Sequence, residues 1–212
     1  MRSVEWTAAA SEALSSAGFE SARLDAELLA AHALGISRAQ LLAHPEFEIP
    51  ELALEALLQR RLLDEPMVYI LGKKEFFGRE FVVNKNVLIP RPETEILVEQ
   101  LLKVLQPGMR CADIGTGSGA IAITASLGIA GCEWVASDIS SQALSVAALN
   151  RDCLGADVEI VKADRLKAFA VASLDTIACN PPYIEPGDPN LDEQVSKWEP
   201  ESRYSAKAAR TS

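Results

Sequence analysis

The stretch Asn180-Pro181-Pro182-Tyr183 follows directly on the run Leu174-Asp175-Thr176-Ile177-Ala178-Cys179, so it places a carboxamide and two backbone carbonyls at the end of an expected strand. Neither proline has an N–H to donate. Each fixes its own φ and pushes the residue before it into extended backbone, so the carbonyls of Asn180 and Pro181 can point into a cleft. Asn180 adds an oxygen that accepts and an NH2 that donates, which together hold an amide or amino group in one orientation. Tyr183 offers a flat face for stacking. The chemistry suggested is the holding of a planar NH2 group for reaction, with Asn180, Pro181, Pro182 and Tyr183 as the catalytic candidates. An ordinary proline turn ending a strand explains Asn-Pro-Pro alone equally well.

A second motif upstream separates these readings. Cys111-Ala112-Asp113-Ile114 reads as a short buried strand, Gly115-Thr116-Gly117-Ser118-Gly119 as a glycine-rich turn, and the apolar run from Ala120 as a helix. The G-x-G-x-G spacing differs from the dinucleotide fingerprint G-x-G-x-x-G, though both use the turn between a strand and a helix. About twenty residues further on, a strand ending in Asp138 supplies a carboxylate suited to ribose hydroxyls. No Gly-Lys-Ser/Thr phosphate loop is present, and no residues suggest a hydride-transfer site. The nucleoside indicated is that of S-adenosylmethionine.

The elements around these motifs must bring them together. Strands are expected at 111–114, 133–137, 158–161 and 174–179 with helices between, including one over 141–150. Such alternation makes a parallel sheet covered on both faces, with ligands beyond the carboxyl ends of the strands. Gly115 to Gly119, Asp138, Asp164 and Asn180 all fall at such ends. Upstream, residues 1–72 read as a small helical domain. Gly18 and Gly35 suit helix C-termini, Ser37-x-x-Gln40 a capping box, and Pro50 a helix start. Leu54, Leu57, Leu58 and Leu62 form an apolar stripe for packing. Residues 73–90 read as a linker, with a β-hairpin over 76–88 around Gly78 and Asn84-Lys85-Asn86. Neither His32 nor His44 lies near a motif.

These residues resemble the class I S-adenosylmethionine methyltransferases, and within them the glutamine N5-methyltransferases of peptide chain release factors. Besides the two loops, the resemblance rests on Glu65-Pro66-Met67-Val68-Tyr69-Ile70-Leu71-Gly72, Glu75-Phe76-Phe77-Gly78-Arg79-Glu80-Phe81, Leu191-Asp192-Glu193-Gln194-Val195 and Glu199-Pro200. The run Ile89-Pro90-Arg91-Pro92-Glu93-Thr94-Glu95 is the most specific part. The resemblance implies an α/β fold with a Rossmann-like parallel sheet over 91–212, preceded by the helical, substrate-recognising domain. It implies S-adenosylmethionine as cofactor, held by Gly115, Thr116, Gly117, Ser118, Gly119, Asp138, Asp164, Arg165 and Asn180, with no metal. Asp164 matches the family's acidic position near the adenine, whereas Arg165 stands where relatives carry an apolar or aromatic residue. The Ile89-Pro90-Arg91-Pro92 run could cover the cofactor or contact substrate, and Arg91 and Glu93 could equally be a surface ion pair at a helix start. The implied reaction methylates the glutamine of the release factor's Gly-Gly-Gln loop.

The family continues beyond the Asn-Pro-Pro-Tyr loop, whereas the tail after Glu201 carries no strand signal. The sheet is therefore expected to be incomplete at its C-terminal side, leaving 174–179 as an apolar edge. A non-catalytic remnant is one alternative function; a nucleic-acid amino-methyltransferase acting on adenine or guanine is the other. The net charge of −10 counts against the latter, since backbone-tracking proteins present a basic stripe. The groupings Arg60-Arg61, Lys73-Lys74 and Lys207 with Arg210 read as solvated surface. Hydrophobic residues make up 49% of the 212, enough for a substantial core. The four cysteines lack a C-x-x-C pair and read as reduced, buried thiols, and neither a signal peptide nor a membrane-length apolar run is evident. The expected setting is the cytoplasm.

Overall fold

The computed structural model describes residues 1–181 and 197–200. Pro182, Tyr183, the Leu191–Val195 motif and the tail from Glu201 lie outside the described residues. The chain divides into two compact units, Met1–Leu71 and Gly72–Ser212.

The first unit consists of α1 (Ser3–Ser16), α2 (Ala22–Leu34), α3 (Arg38–Ala43), α4 (Glu51–Leu62) and α5 (Met67–Leu71). Its core forms where apolar residues recur every three or four positions: Trp6, Ala10 and Leu14 on α1, Ala22, Ala26 and Leu29 on α2, Leu54 and Leu58 on α4. The helix signals read from sequence hold. Gly35 ends α2 at φ 66°, Ser37 and Gln40 form the capping box before α3, and Pro50 is the N-cap of α4. Arg61 departs from expectation. Its side chain is buried rather than solvated, with Nε donating to Asp25 at 2.8 Å and the guanidinium 4.1 Å over the Phe19 ring. The α4 stripe carries it inward, and the Asp25 carboxylate offsets its desolvation.

The second unit opens on a hairpin of β1 (Lys73–Phe76) and β2 (Arg79–Val82), joined by Phe77 and Gly78 at φ 51° and 71°. Both left-handed angles are those of a tight two-residue hairpin turn. The hairpin is shorter than the sequence suggested. Asn84 accepts the Asn86 N–H on its side chain and the Val87 N–H on its carbonyl, a local turn that ends the pairing before residue 84. The hairpin is also not a detached linker, since Phe76 and Phe81 are buried in the core of this unit.

The parallel sheet contains β3 (Arg110–Ile114), β4 (Glu133–Asp138), β5 (Val158–Lys162) and β6 (Thr176–Cys179) in the order β5-β4-β3-β6. Helices α6 (Glu93–Val104), α7 (Ala120–Gly128) and α8 (Ser141–Leu154) bury Val98, Ile123 and Ala147 among others. Strand–helix alternation fails once. Between β5 and β6 the chain makes only turns. Asp175 is anchored on Arg110 at one end and Asp164 on Lys167 at the other, and so short a helix has little cooperative stability of its own. Among the described residues β6 is a sheet edge, with Ile177 49% exposed.

The cysteines are not uniformly buried. Cys111 on β3 is enclosed and Cys132 partly so, but Cys153 and Cys179 are exposed. Cys153 lies on the outer side of α8, and Cys179 at the open end of an edge strand. Periodicity alone does not distinguish these from core positions. Among the described residues no helix is long and apolar enough to cross a membrane, and no group of His, Cys, Asp and Glu could hold a metal ion.

Candidate active site

The glycine loop is tied to the end of β4. The N–H groups of Gly115 and Thr116 both donate to the Ser137 carbonyl, at 2.8 and 2.9 Å, and the Gly117 N–H donates to Asp138 Oδ2 at 3.1 Å. Behind the loop, buried Asp113 accepts from the Thr116 hydroxyl at 2.6 Å. Gly119 turns the chain into α7 at φ +83°, where an added Cβ would stand 2.7 Å from Ile123 Cδ1. It therefore serves helix packing, while Gly115, at φ +74°, has open space where its Cβ would be. A β-carbon at Gly115 would be strained and would project into space that a ligand can use.

A cavity of about 330 Å³ lies over these strand ends. Of the residues proposed from sequence, Gly115, Thr116, Gly117, Ser118, Asp138, Asp164, Arg165, Asn180 and Pro181 line it, and Gly119 does not. The Ile-Pro-Arg-Pro run contributes Pro90 and Arg91, with Ile89 turned into the core. Eight lining residues were not proposed from sequence, the polar Thr94 and Cys179 and the apolar Leu88, Ile114, Ala120, Ile121, Ile139 and Ala163. Thr94, inside the most specific run, had a signal that could have found it.

Asn180 stands at the end of β6 and donates from Nδ2 to the Thr94 hydroxyl at 3.1 Å. Arg91 does not pair with Glu93. It reaches buried Glu199 at 2.5 Å, and Glu93 begins α6. Glu95, two residues further on, accepts the Phe77 N–H at 2.8 Å and so ties α6 to the hairpin.

The donors and charges fit a nucleoside better than a phosphate chain. Four N–H groups of the glycine loop, from Gly115, Thr116, Gly117 and Gly119, are taken up by acceptors within the fold. They are thus not arrayed toward an anion as in a phosphate nest. Asp138 is buried, accepting from Gly117 on Oδ2 and from Ser140 on Oδ1 at 2.9 Å, and each carboxylate oxygen can take a further donor such as a ribose hydroxyl. Asp164 accepts from Lys167 at 2.6 Å; that hydrogen bond, opposed by burial and aided by the charges of Lys167 and Arg165, holds its carboxyl below the usual value. Arg165 Nε lies 4.0 Å from Asp164. The volume lies within the range of small-molecule sites.

A protein-family model of the PrmC N-terminal domain matches residues 5–72, and one of the methyltransferase small domain matches residues 92–195. The release factor glutamine methyltransferase of Bordetella pertussis is 46% identical over 184 residues, covering 84% of this chain and 68% of that protein. The chain belongs to the release factor glutamine methyltransferase family. The enzyme of the same name from Neisseria gonorrhoeae is 43% identical over 184 residues, 84% of this chain and 67% of that protein. A partial likeness extends to the structure of Pyrococcus abyssi tRNA (uracil-54, C5)-methyltransferase in complex with S-adenosyl-L-homocysteine. Its TM-score is 0.42 at 18% identity, over 50% of this chain and 26% of that one. Membership of the release factor glutamine methyltransferase family makes the chain a methyltransferase with S-adenosylmethionine as methyl donor, as the glycine loop and Asp138 led the sequence analysis to expect. The nucleic-acid alternative finds no support in these relatives.

Proposed function

We propose that the protein methylates the side-chain amide nitrogen of the glutamine in the Gly-Gly-Gln loop of peptide chain release factors. The observation that carries this reading is the placement of Asn180 on the wall of the nucleoside-sized cavity, its amide hydrogen-bonded to Thr94. Residues 1–72 are the substrate-recognition domain in this proposal, and the reaction takes place in the cytoplasm. The family match over residues 5–72 supports the separate domain.

Asp138 would accept from the ribose hydroxyls, and the Gly115–Ser118 turn would lie under the amino-acid end of the cofactor. Asp164 and Arg165 would border the adenine. S-adenosylmethionine, when bound, supplies a methyl on a positively charged sulfur that departs as a neutral thioether. The obstacle is the acceptor, because an amide nitrogen delocalises its lone pair into the carbonyl. Asn180 Oδ1 and the Pro181 carbonyl would accept its two N–H bonds and hold the nitrogen toward the methyl group, favouring the pyramidal form that has a lone pair to give. This is orientation and electrostatics directed at the transition state. As nitrogen gains a bond to carbon its remaining N–H becomes acidic, and the proton passes to water without a dedicated base. That fits a cavity with no histidine among its described lining residues.

Incubation with a release factor and S-adenosylmethionine, followed by peptide mass spectrometry, should show one added methyl on the loop glutamine. An unmodified factor, with the Bordetella pertussis relative active in the same assay, would overturn the proposal.

A further inference from the structure

We infer that Arg91 holds the carboxylate of S-adenosylmethionine; the inference rests on the reading that the nucleoside lies toward Asp138 and Asp164, with the amino-acid end over the Gly115–Ser118 turn. The two ends of the cofactor differ in what they ask of a protein. The nucleoside presents hydroxyls and a base, whereas the amino-acid end presents a carboxylate that needs donors or a cation once it leaves water. The glycine loop is a poor source of donors, because the N–H groups of Gly115, Thr116, Gly117 and Gly119 donate to acceptors within the fold. Among the described lining residues the cations are Arg91 and Arg165.

Strand order separates these two arginines. Arg165 follows β5 and lies beside Asp164, with Nε 4.0 Å from its carboxylate. Arg91 stands on the other side: its carbonyl accepts the Thr94 N–H at 3.0 Å, and the Thr94 side chain meets Asn180 at the end of β6. In the order β5-β4-β3-β6 these ends are three strand steps apart, about 14 Å. Asp138 ends β4 and Asp164 follows β5, so the carboxylates of the wall and the Arg91 cation fall toward opposite sides of the cavity. That polarity matches a ligand with hydroxyls at one end and a carboxylate at the other.

The Arg91 guanidinium is also fixed in place. Its Nη2 donates at 2.5 Å to Glu199, whose side chain is only 2% exposed, while the Arg91 side chain is 38% exposed and lines the cavity. A guanidinium carries five N–H donors in a rigid fork, so a bond to one carboxylate leaves donors for a second. Ordering so long a side chain is a cost met in folding rather than in binding.

Decarboxylated S-adenosylmethionine keeps the sulfonium, the amine and the nucleoside and lacks only the carboxylate. By calorimetry the native chain should bind S-adenosylmethionine roughly ten- to a hundredfold more tightly than this analogue. Arg91→Met should bind the two within about threefold of each other, and its Kd for methylthioadenosine, which lacks the whole amino-acid end, should stay within about threefold of the native value. Glu199→Gln breaks the ion pair but keeps the guanidinium, and should preserve the preference for the carboxylate. Equal loss of that preference in Glu199→Gln and Arg91→Met would make the pair merely structural and overturn the inference. A native chain that binds both ligands alike, or an Arg91→Met variant that retains the preference, would equally overturn it. Should Arg91→Met not fold, Arg91→Lys decides in its place, since a single ammonium cannot reproduce the fork; its preference should fall at least about threefold, and a full preference would count against the inference. Asp138→Ala tests the underlying placement separately, and should weaken methylthioadenosine binding at least about tenfold. Undiminished binding there would refute the placement of the nucleoside, while the preference measured in Arg91→Met would still decide whether Arg91 holds the carboxylate.

Discussion

Asn150 and Val82, 68 positions apart, exchange two hydrogen bonds: the Val82 N–H donates to Asn150 Oδ1 at 2.7 Å, and Asn150 Nδ2 donates to the Val82 carbonyl at 2.9 Å. The second Nδ2 proton goes to the Ser118 carbonyl at 2.8 Å. One fully buried amide therefore joins the hairpin, α8 and the glycine loop. Asn150→Ala leaves the Val82 N–H and two carbonyls without these partners. It should cost about 2 to 3 kcal/mol, read as a lower urea midpoint, and should weaken S-adenosylmethionine binding through Ser118. A midpoint equal to that of the native chain would refute the clamp.

Gly119 separates two costs. Alanine there must take up φ +83° and place Cβ 2.7 Å from Ile123 Cδ1. The backbone conformation costs about 1 to 2 kcal/mol, and the flexible end of Ile123 can move partly aside. Gly119→Ala should lose about 2 to 3 kcal/mol in the native background and about 1 to 2 kcal/mol in an Ile123→Val background, which removes the clashing methyl. Equal losses in the two backgrounds would show that the contact costs nothing.

Asn180→Ala should reduce methyl transfer at least a hundredfold, as does removal of a group acting mainly in the transition state. The Kd for S-adenosylmethionine, measured by calorimetry, should change by less than about threefold. Parallel loss of both would assign Asn180 to cofactor binding instead.

In the helical unit, Glu27 accepts from Arg23 at 2.9 Å and from Arg38 at 2.6 Å with a side chain only 5% exposed. Burial alone would raise its pKa, but the two arginines outweigh this and hold the carboxyl below its ordinary value. A folded-state value below the unfolded one gives stability that is complete above the ordinary glutamate value, about 4.3, and is lost as pH falls through the folded value. Glu27→Gln should therefore be less stable than the native chain by about 1 to 2 kcal/mol at pH 7, with the gap closing below about pH 4. A gap independent of pH would exclude the ionised form as its source.

The thiols should react in a set order. Cys153 and Cys179 are exposed, whereas Cys111 is enclosed, with burial chiefly pushing its thiol up to about 11. Alkylation followed by mass spectrometry should label Cys153 first and Cys111 only on unfolding. Cys179 lies on the cavity wall with its thiol raised, first by burial and then by the Asp113 carboxylate. It should label more slowly, faster at alkaline pH, and more slowly still with S-adenosylmethionine bound. Early labelling of Cys111 would contradict the packing of β3.

The strands carrying Asp113 and Asp138, the glycine turn, the capping box at Ser37 and the position of Asn180 and Pro181 at a strand's end were legible because each rests on local rules. Apolar runs make buried strands, glycine takes up left-handed φ, a hydroxyl caps a helix, and proline fixes its neighbour. Parallel alternation then placed the two strand ends, the glycine turn and Asn180 at the same end of one sheet, and the cavity lies there. Sequence was less informative where a local signal competed with a longer one: Asn84 ended the hairpin early, and the β5–β6 connection formed turns where a helix was expected.

The sequence by itself determined the fold class and the loops at the strand ends, because hydrophobic periodicity and backbone-restricting residues act within a few positions along the chain; the family came from the resemblance of its motifs, Ile89-Pro90-Arg91-Pro92-Glu93-Thr94-Glu95 above all. Only the tertiary structure decided the partners: Thr94 for Asn180, Glu199 for Arg91, Val82 and Ser118 for Asn150, Asp25 for Arg61. It also decided which cysteines face solvent. A hydrogen bond depends on distance and angle between groups, and for residues tens of positions apart these are set by how helices and strands pack, not by anything in the spacing of the residues themselves.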